Sequence, residues 1–172
     1  TNKLVRFYQG TTGLKTGYTS SAGYCMSATA ERDGMELIAT VMHCESSTDR
    51  FESAKALLDY GFAAYTLVEP MGEEAAEPVR VELGTVETVQ PVPAQQEPVL
   101  LAKEQAAGVT REISLTDRVS APVEQGQVLG SVTLKSGDEV LAEVPLVAET
   151  GIPRLGWGQL FLRLLGMIWM AE

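Results

Sequence analysis

The chain has 172 residues, of which 45% are hydrophobic and 21% charged, a globular composition that excludes a disordered chain and leaves room for one or two modest domains. The formal net charge of -10 would repel a phosphate backbone, so nucleic acid is not an expected partner. Two cysteines, Cys25 and Cys44, are too few for a disulfide scaffold.

The charge is uneven. Residues 1–68 carry 7 acids and 6 bases, residues 69–150 carry 15 and 5, and residues 151–172 carry 1 and 2. That asymmetry argues for two units with a boundary near residues 64–70. The chain opens on Thr1 without a signal peptide, so it is expected to be a processed form or a piece of a longer protein.

In chain order, residues 11–18 (TTGLKTGY) read as a strand punctuated by glycines. Residues 22–30 and 35–44 are two apolar runs of strand length, and Glu31-Arg32-Asp33-Gly34 between them is an Asp-Gly hairpin signal. The second run is so apolar that it reads as a strand buried on both faces. A turn near Asp33 puts Cys25 opposite about Thr40 to Met42, short of Cys44, so two separate thiols are expected. A helix follows over Ser47–Tyr60, capped by Ser47 or Thr48, with Asp49 in its first turn. Its apolar face is Phe51, Ala54, Leu57 and Leu58, and Gly61 is the stop signal.

After Val68, prolines recur at short intervals among strand-like pieces: Val79–Leu83, Thr85–Val89, Val99–Ala102, Glu112–Leu115, Val128–Leu134 and Val140–Val147. Short strands with frequent turn signals suggest a small all-β sandwich. Its acids read most simply as solvated sheet faces. The tail Leu155–Met170 (LGWGQLFLRLLGMIWM) is apolar nearly all round, with Trp157 and Trp169 near its ends. It falls short of the roughly 20 residues a bilayer span needs, which favours a helix in a membrane interface. A helix packed into a partner and a cut-off span are the alternatives.

The motif that carries chemistry is Lys15-Thr16-Gly17. A tripeptide alone is weak evidence, and an ordinary solvated strand lysine is the plain alternative. On a strand beside a hairpin it gains weight. Lys15 offers a fixed cation for a substrate carboxylate, and the Thr16 hydroxyl can bond the same group. Gly17 has no side chain, so an extended peptide can approach the strand edge and pair with it. His43 and Cys44 are adjacent, but strand neighbours point to opposite faces, so His43 reads as structural.

KTG is one of three elements of the serine penicillin-recognising enzymes, with S-x-x-K and S-x-N. The run GLKTGYTSSAGYCMSATAERDGMELIATVM resembles the third-motif strand and hairpin of the serine-type D-alanyl-D-alanine carboxypeptidases, the low-molecular-mass penicillin-binding proteins. RFESAKALLDYGF resembles the helix closing their catalytic domain, APVEQGQVLGSVTL a segment of their C-terminal β-domain, and the tail their membrane anchor. Thr12 departs from the acid many relatives carry before Gly-Leu-Lys, which puts fine specificity in doubt.

The resemblance implies an α+β fold. The C-terminal part of a penicillin-binding/β-lactamase-like transpeptidase domain (residues 1–64) would precede a β-sandwich (65–150) and an apolar anchor helix (151–172). It implies removal of the terminal D-alanine from peptidoglycan pentapeptides through an acyl-serine, with β-lactams bound at the same serine and no metal or cofactor. The enzyme would work at the extracytoplasmic face of a bacterial cytoplasmic membrane, with residues 155–170 on the lipid. Lys15, Thr16 and Gly17 would bind substrate, and the backbone N–H of Tyr18 would be an oxyanion donor, each such donor being worth about 3–4 kcal/mol. Arg50 matches an arginine that assists carboxylate binding; a surface helix cation is the other reading.

Two elements are missing. No serine is followed by lysine three residues on, Ser53-Ala54-Lys55 having the wrong gap, and the only asparagine is Asn2. This chain alone is therefore expected to be inactive, with the upstream half of the catalytic domain supplying the nucleophile. The rivals are a non-catalytic β-domain and anchor that binds envelope partners, and a β-lactamase-like hydrolase.

Overall fold

The structure is a computed structural model that describes residues 2–72 and 74–162. The elements are α1 (Leu4–Phe7), β1 (Thr11–Thr19), β2 (Gly23–Arg32), β3 (Met35–Cys44), α2 (Ser47–Ala64), β4 (Tyr65–Val68), β5 (Val79–Glu82), β6 (Thr88–Val89) and β7 (Pro91–Pro93). They continue as β8 (Val99–Ala102), α3 (Lys103–Ala106), β9 (Val109–Leu115), β10 (Arg118–Ser120), β11 (Val128–Ser136) and β12 (Glu139–Ala148). Contacts divide them into two units: residues up to Leu67 together with Leu100–Ala107, and Val68–Val99 together with the described residues from Gly108 onward.

The first unit is an antiparallel sheet in the order β1-β2-β3 with α2 packed on one face. Asp33 and Gly34 both adopt positive φ, 50° and 77°, so two residues suffice to reverse the chain and pair Arg32 with Met35. The core takes Met26, Ala28, Ala30, Met35, Ala39 and Val41 from the sheet and Ala54, Leu58 and Phe62 from α2, closed at one end by Leu4 and Tyr8. The Tyr8 hydroxyl donates to Asp59 at 2.7 Å, and the Arg32 guanidinium lies over the Tyr8 and Phe62 rings at 4.6 and 4.5 Å.

Three expectations change here. Strand β3 is buried on one face only: Met35, Ala39 and Val41 face the core, while Ile38 and Met42 are 68% and 75% exposed. The helix is capped by Ser46, whose Oγ accepts from the Asp49 N–H, and it runs through Gly61 to Ala64. Gly61 does not stop it. A Cβ there would sit 2.5 Å from Leu37 Cδ1, so this glycine lets the helix lie close to β3. The buried face is Arg50, Ala54, Leu58, Gly61 and Phe62, with Leu57 turned to solvent.

The second unit has two sheets, β10-β5-β6 and β7-β12-β11-β9. Val79, Val81 and Val89 of the first meet Leu129 and Ala148 of the second in one core, joined by Ala121, Val123 and Ile152. Val132, Val144 and Leu146 form another with Ala76. The expected strands are present, three of them longer, the first ending at Glu82 and the second cut to Thr88–Val89, but β8 pairs with β4 and its residues Leu100–Ala102 belong to the first unit and not to the sandwich. Strands β7 and β10 are additional; β10 pairs β5 in parallel. Of the apolar tail, residues 157–162 are helical with Trp157, Phe161 and Leu162 exposed, while residues 163–172 lie outside the described residues. Among the described residues no helix is long and apolar enough to cross a membrane.

Two predictions follow from this packing. Burial and the bond to Asp59 push the Tyr8 pKa up to about 12 from 10.0. A raised pKa stabilises the fold below the unfolded value, and that contribution disappears as the pH climbs through the folded one. The melting temperature of Tyr8→Phe should therefore fall less steeply than that of the unmutated protein between pH 10 and 12. In β11, a Cβ on Gly130 would lie 2.0 Å from the Ser114 carbonyl oxygen. Gly130→Ala should destabilise the second unit by about 1–3 kcal/mol in a urea melt.

Candidate active site

The geometry of the site follows from the parity of the sheet. A two-residue turn closes on a hydrogen-bonded pair, here Arg32 and Met35, so the even-numbered residues of β2 turn their N–H and C=O groups toward β3. The odd-numbered ones turn theirs toward β1, as the bond from Glu31 N–H to the Gly10 carbonyl shows directly. Gly17 pairs with Cys25, so the Gly17 C=O points inward to β2. The Gly17–Tyr18 peptide is trans, which sends the Tyr18 N–H the opposite way, out across the β1 edge. Thr16 pairs with Met26 and also turns its N–H and C=O to that edge.

Among the described residues no strand pairs with this side of β1. The Lys15 ammonium lies along it, donating to the Thr16 carbonyl oxygen at 2.8 Å. Lys15, Ser27 and Thr40 are cross-strand neighbours on the face away from α2, and Ser27 Oγ lies 3.2 Å from Thr40 Oγ1. With Gly17, Cys25 and Met42 they line a shallow depression. A Cβ on Gly17 would meet nothing nearer than Cys25 Cβ at 4.0 Å, so the fold does not require a glycine there.

Arg50 is not a surface cation. It is only 8% exposed, and its Nη1 donates to the Gly17 carbonyl oxygen at 3.1 Å while Nη2 donates to Ser47 Oγ at 3.3 Å. The guanidinium lies between the rings of Tyr24 and Phe51, at 5.3 and 5.0 Å, and Tyr24 in turn contacts Tyr18 at 4.4 Å between centroids. Its Nε is buried and unpartnered. The structure thus joins Lys15, Thr16, Gly17, Tyr18 and Arg50 on one stretch of β1, with Arg50 reaching it from the α2 side.

His43 sits apart from this group. Strand β3 carries a bulge opposite Cys25, because Tyr24 pairs with Cys44 and Met26 with Val41. His43 takes positive φ (57°) there. Cys25 and Cys44 are free thiols, and among the described residues no His, Cys, Asp or Glu group could hold a metal. Sequence reasoning missed Ser47, Tyr24, Ser27 and Thr40 as neighbours of the motif. Counting residues back from the Asp33-Gly34 turn would have paired Ser27 with Thr40, but their place beside Lys15 depends on the separate register of β1 on β2.

Residues 65–154, just over half of the chain, match the family model described as penicillin-binding protein 5, C-terminal domain. Residues 1–46 match that of D-alanyl-D-alanine carboxypeptidase. The chain belongs to the D-alanyl-D-alanine carboxypeptidase family of penicillin-binding proteins. It is 33% identical over 169 residues to the D-alanyl-D-alanine carboxypeptidase DacF of Bacillus subtilis, covering 96% of this chain and 43% of that protein. With DacA of Escherichia coli the identity is 30% over 151 residues, covering 82% and 36%. The solved penicillin binding protein 5 from Haemophilus influenzae shares 27% identity at a TM-score of 0.65, covering 85% of this chain and 43% of that one. The chain therefore spans about two fifths of the length of the family members it matches, and what it holds corresponds to their C-terminal portion.

Proposed function

We propose that the protein carrying this chain is a serine-type D-alanyl-D-alanine carboxypeptidase that trims the terminal D-alanine from peptidoglycan pentapeptides. The observation that carries this reading is the open β1 edge, where the Lys15 ammonium and the outward Tyr18 N–H share one short stretch of strand. An extended peptide ending in a carboxylate has what it needs there. Thr16 offers backbone groups for strand addition, Lys15 and the Thr16 hydroxyl offer a charged grip on the terminus, and Gly17 leaves room for the approach.

The serine nucleophile and its activating lysine are not found at the required spacing in this chain. Attack by that serine on the scissile carbonyl would put negative charge on the carbonyl oxygen, which the Tyr18 N–H would stabilise. Collapse would expel D-alanine and leave an acyl-serine for water to cleave. A β-lactam would acylate the same serine. The residues present call for no metal or cofactor in this scheme. The second unit would separate the catalytic domain from the extracytoplasmic face of the membrane, with residues 155–170 on the lipid. The names of the relatives favour this reading over a non-catalytic envelope module or a β-lactamase.

Fluorescent penicillin should label the full-length protein and leave this chain alone unlabelled. Labelling of neither would favour the non-catalytic module, and labelling of this chain would place the nucleophile within it. In the full-length protein Lys15→Ala should slow acylation about 10–100-fold, the loss of one hydrogen bond to a charged group. Gly17→Ala should slow it with little change in melting temperature; a large drop in melting temperature would assign Gly17 to folding instead.

A further inference from the structure

Arg50 is a buried cation whose charge goes to a backbone carbonyl. No carboxylate forms a salt bridge with it among the described residues. Its best-placed acceptor, the Gly17 oxygen, belongs to the same peptide unit as the Tyr18 N–H. The two ends of that unit point in opposite directions, the oxygen toward β2 and the N–H out of the open edge.

We infer that Arg50 is a positioning residue that aims and polarises the Tyr18 N–H through the Gly17–Tyr18 peptide, without touching the substrate. This inference rests on the carboxypeptidase reading, in which that N–H is the oxyanion donor. Two effects follow from the geometry. The guanidinium is fixed by Ser47 Oγ and by the rings of Tyr24 and Phe51, so its grip on the Gly17 oxygen fixes the plane of the peptide. A full positive charge on the oxygen also draws electron density from the amide nitrogen, which makes the N–H a stronger donor. Both gains are largest when negative charge develops at the open edge, so they favour the transition state over bound substrate. The contact between Tyr18 and Tyr24 ties the donor residue to the same cluster.

The test uses the full-length protein with its tyrosines labelled with 15N, comparing the unmutated form with Arg50→Met and Arg50→Lys. In Arg50→Met the Tyr18 amide proton should move upfield. The kcat for a peptide ending in D-Ala-D-Ala should fall about 10–100-fold, less than or near the loss of an entire oxyanion donor. KM should change less than about threefold, because ground-state binding is untouched. Arg50→Lys keeps the charge but not the planar fork, and should give an intermediate Tyr18 shift with an intermediate kcat.

If Arg50→Met does not fold, Arg50→Lys decides: a fall in kcat with the Tyr18 resonance unmoved overturns the inference. A rise in KM at unchanged kcat also overturns it, because Arg50 would then grip the substrate carboxylate itself. An unmutated protein that penicillin does not acylate would sink the carboxypeptidase reading and this catalytic role with it. An immobile Tyr18 resonance in an active enzyme would remove only the role of Arg50.

Discussion

The two-residue reversal at Asp33-Gly34 is the constraint on which the site depends. It pairs Arg32 with Met35 and so sets the alternation along β2, from which the face and edge of each motif residue follow through the β1–β2 register beyond the bulge between Thr11 and Gly13. Were the register of β1 on β2 to slip by one residue, Lys15 would turn from the open face to the α2 face. The Gly17 carbonyl would turn outward and the Tyr18 N–H inward, where the ladder would consume it. Chemistry at this edge therefore requires a register fixed by something stiffer than side-chain preference. The unbroken ladder from Gly13–Thr29 to Thr19–Gly23, beyond the bulge between Thr11 and Gly13, supplies that stiffness.

The face under α2 is built from small residues. Ala28, Ala30 and Ala39 in the sheet and Ala54 in the helix are all buried, and a Cβ on Gly61 would require the Leu37 side chain to move. Close approach of helix and sheet brings the first turn of α2 near the end of β1. That is how Arg50, four residues before Ala54 on the same helix face, comes within reach of the Gly17 oxygen. Burying a guanidinium is costly unless its donors are met. Here a carbonyl accepts from Nη1 and a hydroxyl from Nη2, two aromatic rings flank the charge, and Nε is left unpartnered.

Much of this was legible in the sequence because local signals and tertiary demand agree. The hairpin turn, the motif strand and the strand-rich second half were all readable from turn residues and alternation. Where the reading departed from the structure, a long-range contact had overridden a local rule. Gly61 looks like a stop until Leu37 is placed against it. The apolar run of β3 looks doubly buried, yet only sheet packing decides which face is covered. Pro91 and Pro93 hide strand β7, which pairs at the sheet edge that tolerates them. Strand β10 is three residues long and pairs in parallel with a distant segment, so no local pattern announces it. Arg50 was ambiguous because helical spacing alone does not say which face a charge occupies.

Gly61 and Gly17 show how the structure separates folding from function. Both are unremarkable by composition. The space beside Gly61 is occupied by the Leu37 side chain, whose Cδ1 lies 2.5 Å from where a Cβ would sit, so packing gives a reason for a small residue there. The space around Gly17 is open to 4.0 Å, and its backbone has no need of a glycine's freedom. A glycine that neither packing nor conformation requires, next to an exposed ammonium and an outward N–H, is what the proposed approach of a substrate strand would explain. The same test sorts the cations: Arg32 lies over two core rings and Arg50 holds the strand from behind, while the Lys15 ammonium donates to the Thr16 carbonyl oxygen on the open edge. The open side of β1 is thus a part of the first unit whose composition the fold alone does not explain, and under the proposed carboxypeptidase reading a substrate strand would supply the reason.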